Sequence, residues 1–124
     1  MGARSVTDPR RRLGQFGETA VSKWYEQRGG TVADRNWRVR EGEIDLVVVE
    51  RGAVVIVEVK TRRSARYGMP IEAITPAKRA RLRSLAVLWA RAHPELRRPA
   101  LRIEIASVVV DAAGSAHIAV TPLD

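Results

Sequence analysis

The chain has 124 residues, a length that fits one domain with a sizeable core. It contains no cysteine, which excludes a disulfide scaffold, a thiolate metal site and a cysteine nucleophile. No apolar run reaches the length of about 18 residues that a membrane-spanning helix needs, and the basic N-terminus leads into no apolar segment typical of a signal peptide. We therefore expect a soluble, cytoplasmic protein, whose net charge of +8 is typical of a domain that binds a polyanion.

Residues 1–12 contain Gly, Pro and four Arg without any apolar periodicity. This composition predicts a flexible basic arm, followed by a single domain over residues 13–124. Such an arm could follow phosphates, or it could be a solvated tail.

Residues Leu13 to Arg28 have the periodicity of an amphipathic helix that ends at Gly29-Gly30. Its apolar stripe consists of Leu13, Phe16, Gly17, Ala20, Val21, Trp24 and Tyr25. Glu18 lies about 120° from the centre of this stripe, at the edge of the buried face. Position alone favours a surface glutamate near a helix start, although the side chain could also reach the end of a neighbouring sheet.

Thr31–Val39 has the pattern of a first strand, in which Arg35, Arg38 and the following Arg40 surround Trp37. Basic residues around an aromatic ring can contact a nucleic-acid backbone and stack a base. The alternative is a half-exposed strand of an arginine-rich protein, with Trp37 in the core.

Residues 44–49 and 53–59 are almost wholly apolar or β-branched, with a break at Arg51-Gly52. This pattern predicts two strands of a hairpin. With a two-residue turn, residues whose numbers sum to 103 are opposite each other. Asp45 then faces Glu58, and a slip of one residue would put them on opposite faces.

The same register places Glu43 opposite Lys60, which shares a face with Glu58 because strand side chains alternate. Opposed carboxylates at the end of an apolar hairpin are destabilising unless something compensates them. A divalent cation would do so, and Mg²⁺ suits one or two carboxylates with phosphate oxygens and water. The alternative is a solvated strand end in which Lys60 pairs with Glu43 or Glu58.

Thr61–Thr75 is predicted to be a loop that contains Arg62, Arg63 and Arg66. Its charge and length suit a loop that clamps phosphate, and a plain surface loop is the alternative. Thr75 and Pro76 then indicate the start of a second helix, whose apolar stripe is Leu82, Leu85, Ala86, Trp89 and Ala92. Lys78 and Arg81, one turn into this helix, are candidates for DNA contacts.

Leu101–Val110 and His117–Val120 are predicted to be strands around a turn at Asp111–Ser115. They contain no evident chemistry. His93 and His117 have no acid or nucleophile at a useful spacing, which indicates structural or surface roles.

The motifs GEIDL at Gly42–Leu46 and EVK at Glu58–Lys60 resemble those of the PD-(D/E)xK nuclease superfamily. More narrowly, the stretch from about Gly17 to Leu88 is similar to the small bacterial YraN family (UPF0102), itself similar to archaeal Holliday-junction resolvases. The superfamily's usual proline before the first acid is absent, with Ile44 in its place, but GEID is what this family shows there.

This resemblance implies an α/β, restriction-endonuclease-like core, a mixed sheet flanked by helices, which agrees with the element order α-β-β-β-α-β-β. It also implies that Asp45, Glu58 and, as a third acid, Glu18 bind Mg²⁺ or Mn²⁺, with the carbonyl of Val59 as a further ligand. Lys60 would orient or deprotonate the attacking water.

The function that we expect is metal-dependent endonucleolytic hydrolysis of DNA phosphodiester bonds, with branched or junction DNA as the substrate that the resemblance suggests. Two alternatives stay open: a non-catalytic nucleic-acid-binding module with a nuclease-like fold, and an interaction subunit that docks a nuclease. A homodimer is also expected, since a four-way junction has approximate two-fold symmetry.

Overall fold

The computed structural model describes residues 8–63, 74–97 and 99–123. Its element order is the predicted one, with a short 3-10 turn at Pro94–Leu96 added after the second helix. The elements are α1 (Pro9–Gln27), β1 (Thr31–Val39), β2 (Gly42–Glu50), β3 (Ala53–Arg63), α2 (Pro76–Ala92), β4 (Ala100–Val110) and β5 (Ala116–Leu123).

The five strands form one sheet in sequence order, β1-β2-β3-β4-β5. The β1–β2, β2–β3 and β4–β5 neighbours are antiparallel, whereas β3 and β4 are parallel. Parallel neighbours need a crossover connection, which α2 provides. The predicted α/β class, a mixed sheet flanked by helices, is therefore confirmed.

Each face of the sheet packs against one helix. The α1-side core consists of Val21, Tyr25, Leu46, Val48, Val55, Val57, Ala106, Val108 and Val110. The α2-side core consists of Ile44, Val47, Val54, Ile56, Leu82, Leu85, Ala86, Trp89 and Ile103. Burial on both faces explains why the central strands are continuous apolar runs rather than alternating ones.

Helix α1 begins at Pro9, four residues before the predicted start at Leu13. The carboxylate of Asp8 accepts a hydrogen bond of 2.9 Å from the amide of Arg10 and so caps the helix. The part of the predicted arm from Pro9 to Arg12 is thus helical, and residues 1–7 lie outside the described part of the chain. The helix ends as predicted, before Gly29 with φ of +90°.

The buried line of α1 passes through Gly17, Val21 and Tyr25. Phe16 was expected in this stripe but is 44% exposed, because it lies about 100° around the helix from Gly17. Trp37 of β1 is half-buried and packs on the α2-side core, which is the structural alternative for that residue.

Helix α2 starts as predicted, with the Thr75 hydroxyl accepting a hydrogen bond of 3.1 Å from the amide of Lys78. The expected stripe is buried as far as Trp89, whose Nε1 donates a 3.0 Å hydrogen bond to Asp34 of β1, but Ala92 is exposed. Strand β3 extends to Arg63, into the predicted loop, and Arg66 lies outside the described residues. No helix in the described ranges is long and apolar enough to cross a membrane.

Candidate active site

The register predicted for the central hairpin is confirmed. The β2–β3 pairs run from Glu50–Ala53 to Leu46–Val57, and the residue numbers of each pair sum to 103. The ladder ends one position before Asp45 and Glu58, however, so these two residues are not a regular cross-strand pair as the sequence predicted. Instead they lie where the two strands separate.

A side-chain hydrogen bond explains why the ladder ends there. In an uninterrupted ladder Val59 would pair with Ile44, but its amide donates to Oδ2 of Asp45 at 2.8 Å. On its other side, the β1–β2 pairing includes Trp37–Ile44 and Arg35–Leu46 but skips Asp45. Asp45 is therefore outside the regular ladder on both edges of β2.

The facing residue of β1, Asn36, has a φ of +47°. This left-handed conformation is one that asparagine tolerates better than most residues. The alternation of β2 is broken at the same level, because Ile44 packs in the α2-side core and Leu46 in the α1-side core. A local irregularity of this kind re-aims a side chain, and here the re-aimed side chain is that of Asp45.

Glu58 is held by two ammonium groups. Its Oε2 lies 2.9 Å from Nζ of Lys78 and 3.7 Å from Nζ of Lys60, and its side chain is only 13% exposed. Lys78 reaches it from the first turn of α2, so the DNA candidate Lys78 is in fact beside the candidate site. The ion pair between Lys60 and Glu58 is one of the two structural alternatives that the sequence left open.

Glu43 is paired across β1–β2 with Arg38, whose Nε is 2.9 Å from Oε2 of Glu43. The predicted opposition of Glu43 and Lys60 is not part of the β2–β3 ladder, because that ladder ends at Leu46 and Val57.

Glu18 approaches the site from α1. Its Oε1 accepts a hydrogen bond of 3.2 Å from Nδ2 of Asn36. Burial raises the pKa of Glu18, and the Glu43 carboxylate adds to this, while the hydrogen bond from Asn36 opposes it. The sequence placed Glu18 at the edge of the buried face, and it is indeed half-buried.

A close contact between α1 and β3 sets the position of Glu18. A Cβ added at Gly17 would lie 1.8 Å from Oγ1 of Thr61, so only glycine permits this approach. The Thr61 hydroxyl is buried and finds no hydrogen-bond partner among the residues that the structure describes. Gly17 and Thr61 directly neighbour Glu18 and Lys60, so their contact fixes the distance between the helix and the site.

Asp45 is the least compensated acid of the group. Burial raises the pKa of Asp45 to about 7, and the carboxylates of Glu58, Glu18 and Glu43 add to this effect. The hydrogen bond from the Val59 amide acts in the opposite direction but is outweighed. A carboxyl group with this pKa is half-protonated near neutral pH, and a nearby positive charge would favour its ionised form.

The donor set suits a hard cation, because Asp45, Glu58 and Glu18 offer only oxygen atoms. In the ranges that the structure describes, no group of three or more His, Cys, Asp or Glu side chains is assembled closely enough to hold a metal ion. The three predicted acids, Glu18, Asp45 and Glu58, are therefore not brought together as one metal-binding group, although Mg²⁺ needs only one or two carboxylates with water or phosphate.

The arginines proposed to contact DNA are exposed, but several have protein partners. Nη1 of Arg35 donates to Oγ of Ser22 at 2.9 Å, Arg38 is paired with Glu43, and Arg40 lies 4.0 Å from Glu41. The remaining described candidates are exposed at the end of β3 and on α2: Arg62, Arg63 and Arg81.

Both histidines have structural contacts, in line with the predicted structural or surface roles, but the expectation that neither has an acid partner is wrong for His117. His93 stacks on Trp89 with ring centroids 3.8 Å apart, and His117 lies 2.8 Å from Asp111 at the β4–β5 turn. Asn36 was not among the predicted site residues, although an asparagine inside a strand pattern is a signal for a positive φ. Gly17 was predicted only as part of the apolar stripe of α1, and its contact with Thr61 was not.

A family model described as "Uncharacterised protein family UPF0102" matches residues 17–108. A UPF0102 protein of Clavibacter michiganensis subsp. michiganensis (strain NCPPB 382) is 48% identical over 108 residues, which cover 87% of this chain and 91% of that protein. A UPF0102 protein of Arthrobacter sp. (strain FB24) is 46% identical over 106 residues, covering 86% and 89%.

Among solved structures, the chain is similar to SfsA of Pyrococcus furiosus, solved in complex with Ca²⁺. The sequence identity is 18% and the TM-score is 0.44. The match covers 92% of this chain and 64% of that one.

Proposed function

This chain belongs to the uncharacterised protein family UPF0102, and we propose that it is a metal-dependent nuclease that hydrolyses DNA phosphodiester bonds. The observation that carries the proposal is the environment of Asp45. Its carboxylate is partly buried and accepts a hydrogen bond from the Val59 amide, and its pKa is raised to about 7 by this burial and by the carboxylates of Glu58, Glu18 and Glu43. Proteins rarely retain such an uncompensated acid unless a site uses it.

In this proposal Asp45 and Glu58 hold Mg²⁺ or Mn²⁺, and Glu18 and the carbonyl of Val59 are the further donors. The chemistry that the metal supplies when bound is polarisation of the phosphate and a lower pKa for a bound water. The protein contributes the irregularity in β2 that re-aims Asp45 and the helix contact that positions Glu18.

Lys60 is the group that we assign to the attacking water. Its side chain is 35% exposed, so its ammonium can meet solvent, and it lies 3.7 Å from the Glu58 carboxylate. From that position the ammonium would orient the water by donating a hydrogen bond to it, whereas only the free amine form of Lys60 could accept its proton. Lys78 holds the same carboxylate at 2.9 Å, so the orientation of Glu58 does not depend on Lys60 alone.

The experiment that tests the proposal is cleavage of end-labelled linear, flapped and four-way-junction DNA by the purified chain with Mg²⁺ or Mn²⁺. We expect cleavage of at least the branched substrates, loss of cleavage in EDTA, and a loss of about 10²-fold or more in Asp45→Asn and Glu58→Gln. Cleavage that survives in both variants would show that another site, or a contaminant, is responsible.

One observation favours a second candidate function, a nucleic-acid-binding module without catalysis. Glu58 is already paired with two lysines, and a carboxylate satisfied in this way can serve a purely structural role. DNA binding by the parent chain, without cleavage of any of these substrates in either metal, would support this alternative.

A further inference from the structure

A cleft of about 620 Å³ opens beside Glu18, between the first turns of α1 and the paired strands β1 and β2. Arg10, Arg11 and Gln15 line it on the helix side, and Asn36 and Arg38 line it on the strand side. Because Glu18 and its partner Asn36 are both part of its lining, the cleft borders the Glu18 side of the candidate active site.

The cations of this cleft differ in how far they are already neutralised. Arg38 is paired with Glu43 at 2.9 Å, whereas no ion pair or side-chain hydrogen bond to a described residue is found for the guanidinium groups of Arg10 and Arg11. Both are exposed. The first turn of α1 therefore supplies the charge that is available to a ligand.

The backbone amides at the start of α1 are not the groups that would bind the ligand, because the Asp8 carboxylate already accepts a hydrogen bond from the Arg10 amide. The ligand must instead suit the two adjacent guanidinium groups and the neutral amides of Gln15 and Asn36, while the carboxylates of the same lining, Glu18 and Glu43, lie toward the candidate site and against Arg38 respectively. Guanidinium groups match phosphate oxygens in a bidentate manner, and amides can bond to phosphate and sugar oxygens.

The distance along α1 between the arginines and Glu18 indicates which phosphates of the DNA the arginines would contact. Arg10 and Glu18 are separated by eight residues, which is roughly 12 Å along a helix. At about 3.4 Å of rise per nucleotide, this distance corresponds to three or four nucleotides. The arginines would thus contact the strand beside the cleaved bond, not the cleaved phosphate.

We propose that this cleft binds the phosphodiester backbone of the DNA segment that flanks the scissile bond, with Arg10 and Arg11 as its phosphate contacts. The inference rests on the proposed function for its geometry, because Glu18 marks the reacting end. The main contacts to the DNA backbone are then assigned to the first turn of α1, which the sequence predicted to be part of a flexible arm. The arginines of β1, which were the earlier candidates, have protein partners.

The test is DNA binding by the full chain, measured by fluorescence anisotropy in EDTA over a series of salt concentrations, so that cleavage plays no part. Each phosphate contact adds about 0.9 to the slope of log affinity against log salt. Arg10→Ala/Arg11→Ala is expected to lower this slope by about 1.8. The matched control, Arg83→Ala/Arg91→Ala, removes the same charge from exposed positions of α2 on the other face of the sheet.

We expect the control to keep the parent slope, and thermal melts should show both variants folded, since alanine favours a helix. An equal loss of slope in the two double variants, an unchanged slope in Arg10→Ala/Arg11→Ala, or no DNA binding by the parent chain would overturn the inference. A protein that shows the predicted slopes but cleaves no DNA would retain this binding site and lose only the nuclease proposal.

Discussion

Asp45 gives the fold an unfavourable pH dependence. Its ordinary pKa is 3.8 and its pKa in the folded chain is raised to about 7 by burial and by neighbouring acids. Between these values the folded chain retains a proton that the unfolded chain has released. The free energy of unfolding therefore falls as the pH rises through this range, and the loss is complete above the folded pKa.

Asp45→Asn should remove this penalty, since asparagine can still accept the Val59 amide. We expect the free energy of unfolding to rise by up to a few kcal/mol above about pH 7 and to change little below about pH 4. Urea unfolding at pH 4, 6 and 8 would measure it. A variant that is less stable than the parent at pH 8 would mean that the Asp45 carboxylate stabilises the fold.

Asp111 offers a control of opposite sign. The hydrogen bond from His117, followed by bonds from the turn amides, lowers the pKa of Asp111. Its ionised form therefore stabilises the fold, and this contribution is present above its ordinary pKa of 3.8 and lost as the pH falls further. Asp111→Asn should lower the melting temperature at neutral pH, where Asp45→Asn raises it.

Lys60→Met tests the role of the lysine in the motif. Lys78 still holds Glu58 at 2.9 Å, so folding and DNA affinity should stay near those of the parent, while single-turnover cleavage drops about 10²-fold or more. Parent-like cleavage by Lys60→Met would end the catalytic assignment.

At the scale of the elements, the contact between α1 and β3 determines how the site is assembled. Gly17→Ala places a methyl group 1.8 Å from Oγ1 and 2.9 Å from Cβ of Thr61, so the helix must move outward and carry Glu18 with it. We expect a loss of about 1–3 kcal/mol in stability and slower cleavage. Melting curves and cleavage rates of the same preparations would measure both effects.

Two further variants distinguish the effect of the Gly17–Thr61 contact from the effect of replacing glycine by alanine in a helix. Gly14→Ala adds the same methyl group to the same helix where no atom lies within 4 Å, so it should stabilise by roughly 0.5–1 kcal/mol. Thr61→Gly removes the clashing atoms, so adding it to Gly17→Ala should recover part of the lost cleavage. If that double variant cleaves no faster than Gly17→Ala alone, the contact does not position Glu18.

The hairpin register could be predicted because the two-residue turn at Arg51-Gly52 determines which residues of the two apolar runs are opposite each other. The interruption of the ladder at Asp45 could not be predicted from the sequence. It depends on the Asp45 side chain, which replaces a backbone carbonyl as the acceptor for the Val59 amide, and on the positive φ of Asn36 in another strand. The early start of α1 had a signal in Asp8-Pro9, a cap followed by proline. Three arginines follow it, however, and they give no apolar periodicity.

At the scale of the whole molecule, the association of two copies stays a prediction. A four-way junction has approximate two-fold symmetry, and one chain with one site would cut one strand per encounter. Light scattering of the chain with and without junction DNA would measure the assembly. We expect two copies on each junction, and a single copy both free and bound would remove the proposal.

The acids and the basic surfaces belong to one proposed function, in which a positively charged domain leaves Asp45 under-compensated because this carboxylate binds a divalent cation. Calorimetric titration with Mn²⁺ tests it most directly. The parent chain should bind roughly tenfold more tightly at pH 8 than at pH 6, because the pKa of Asp45 is about 7 and the cation competes with its proton. Asp45→Asn should lose this binding and its pH dependence. Binding of the same strength in Asp45→Asn, or no binding by the parent at pH 8, would contradict the account.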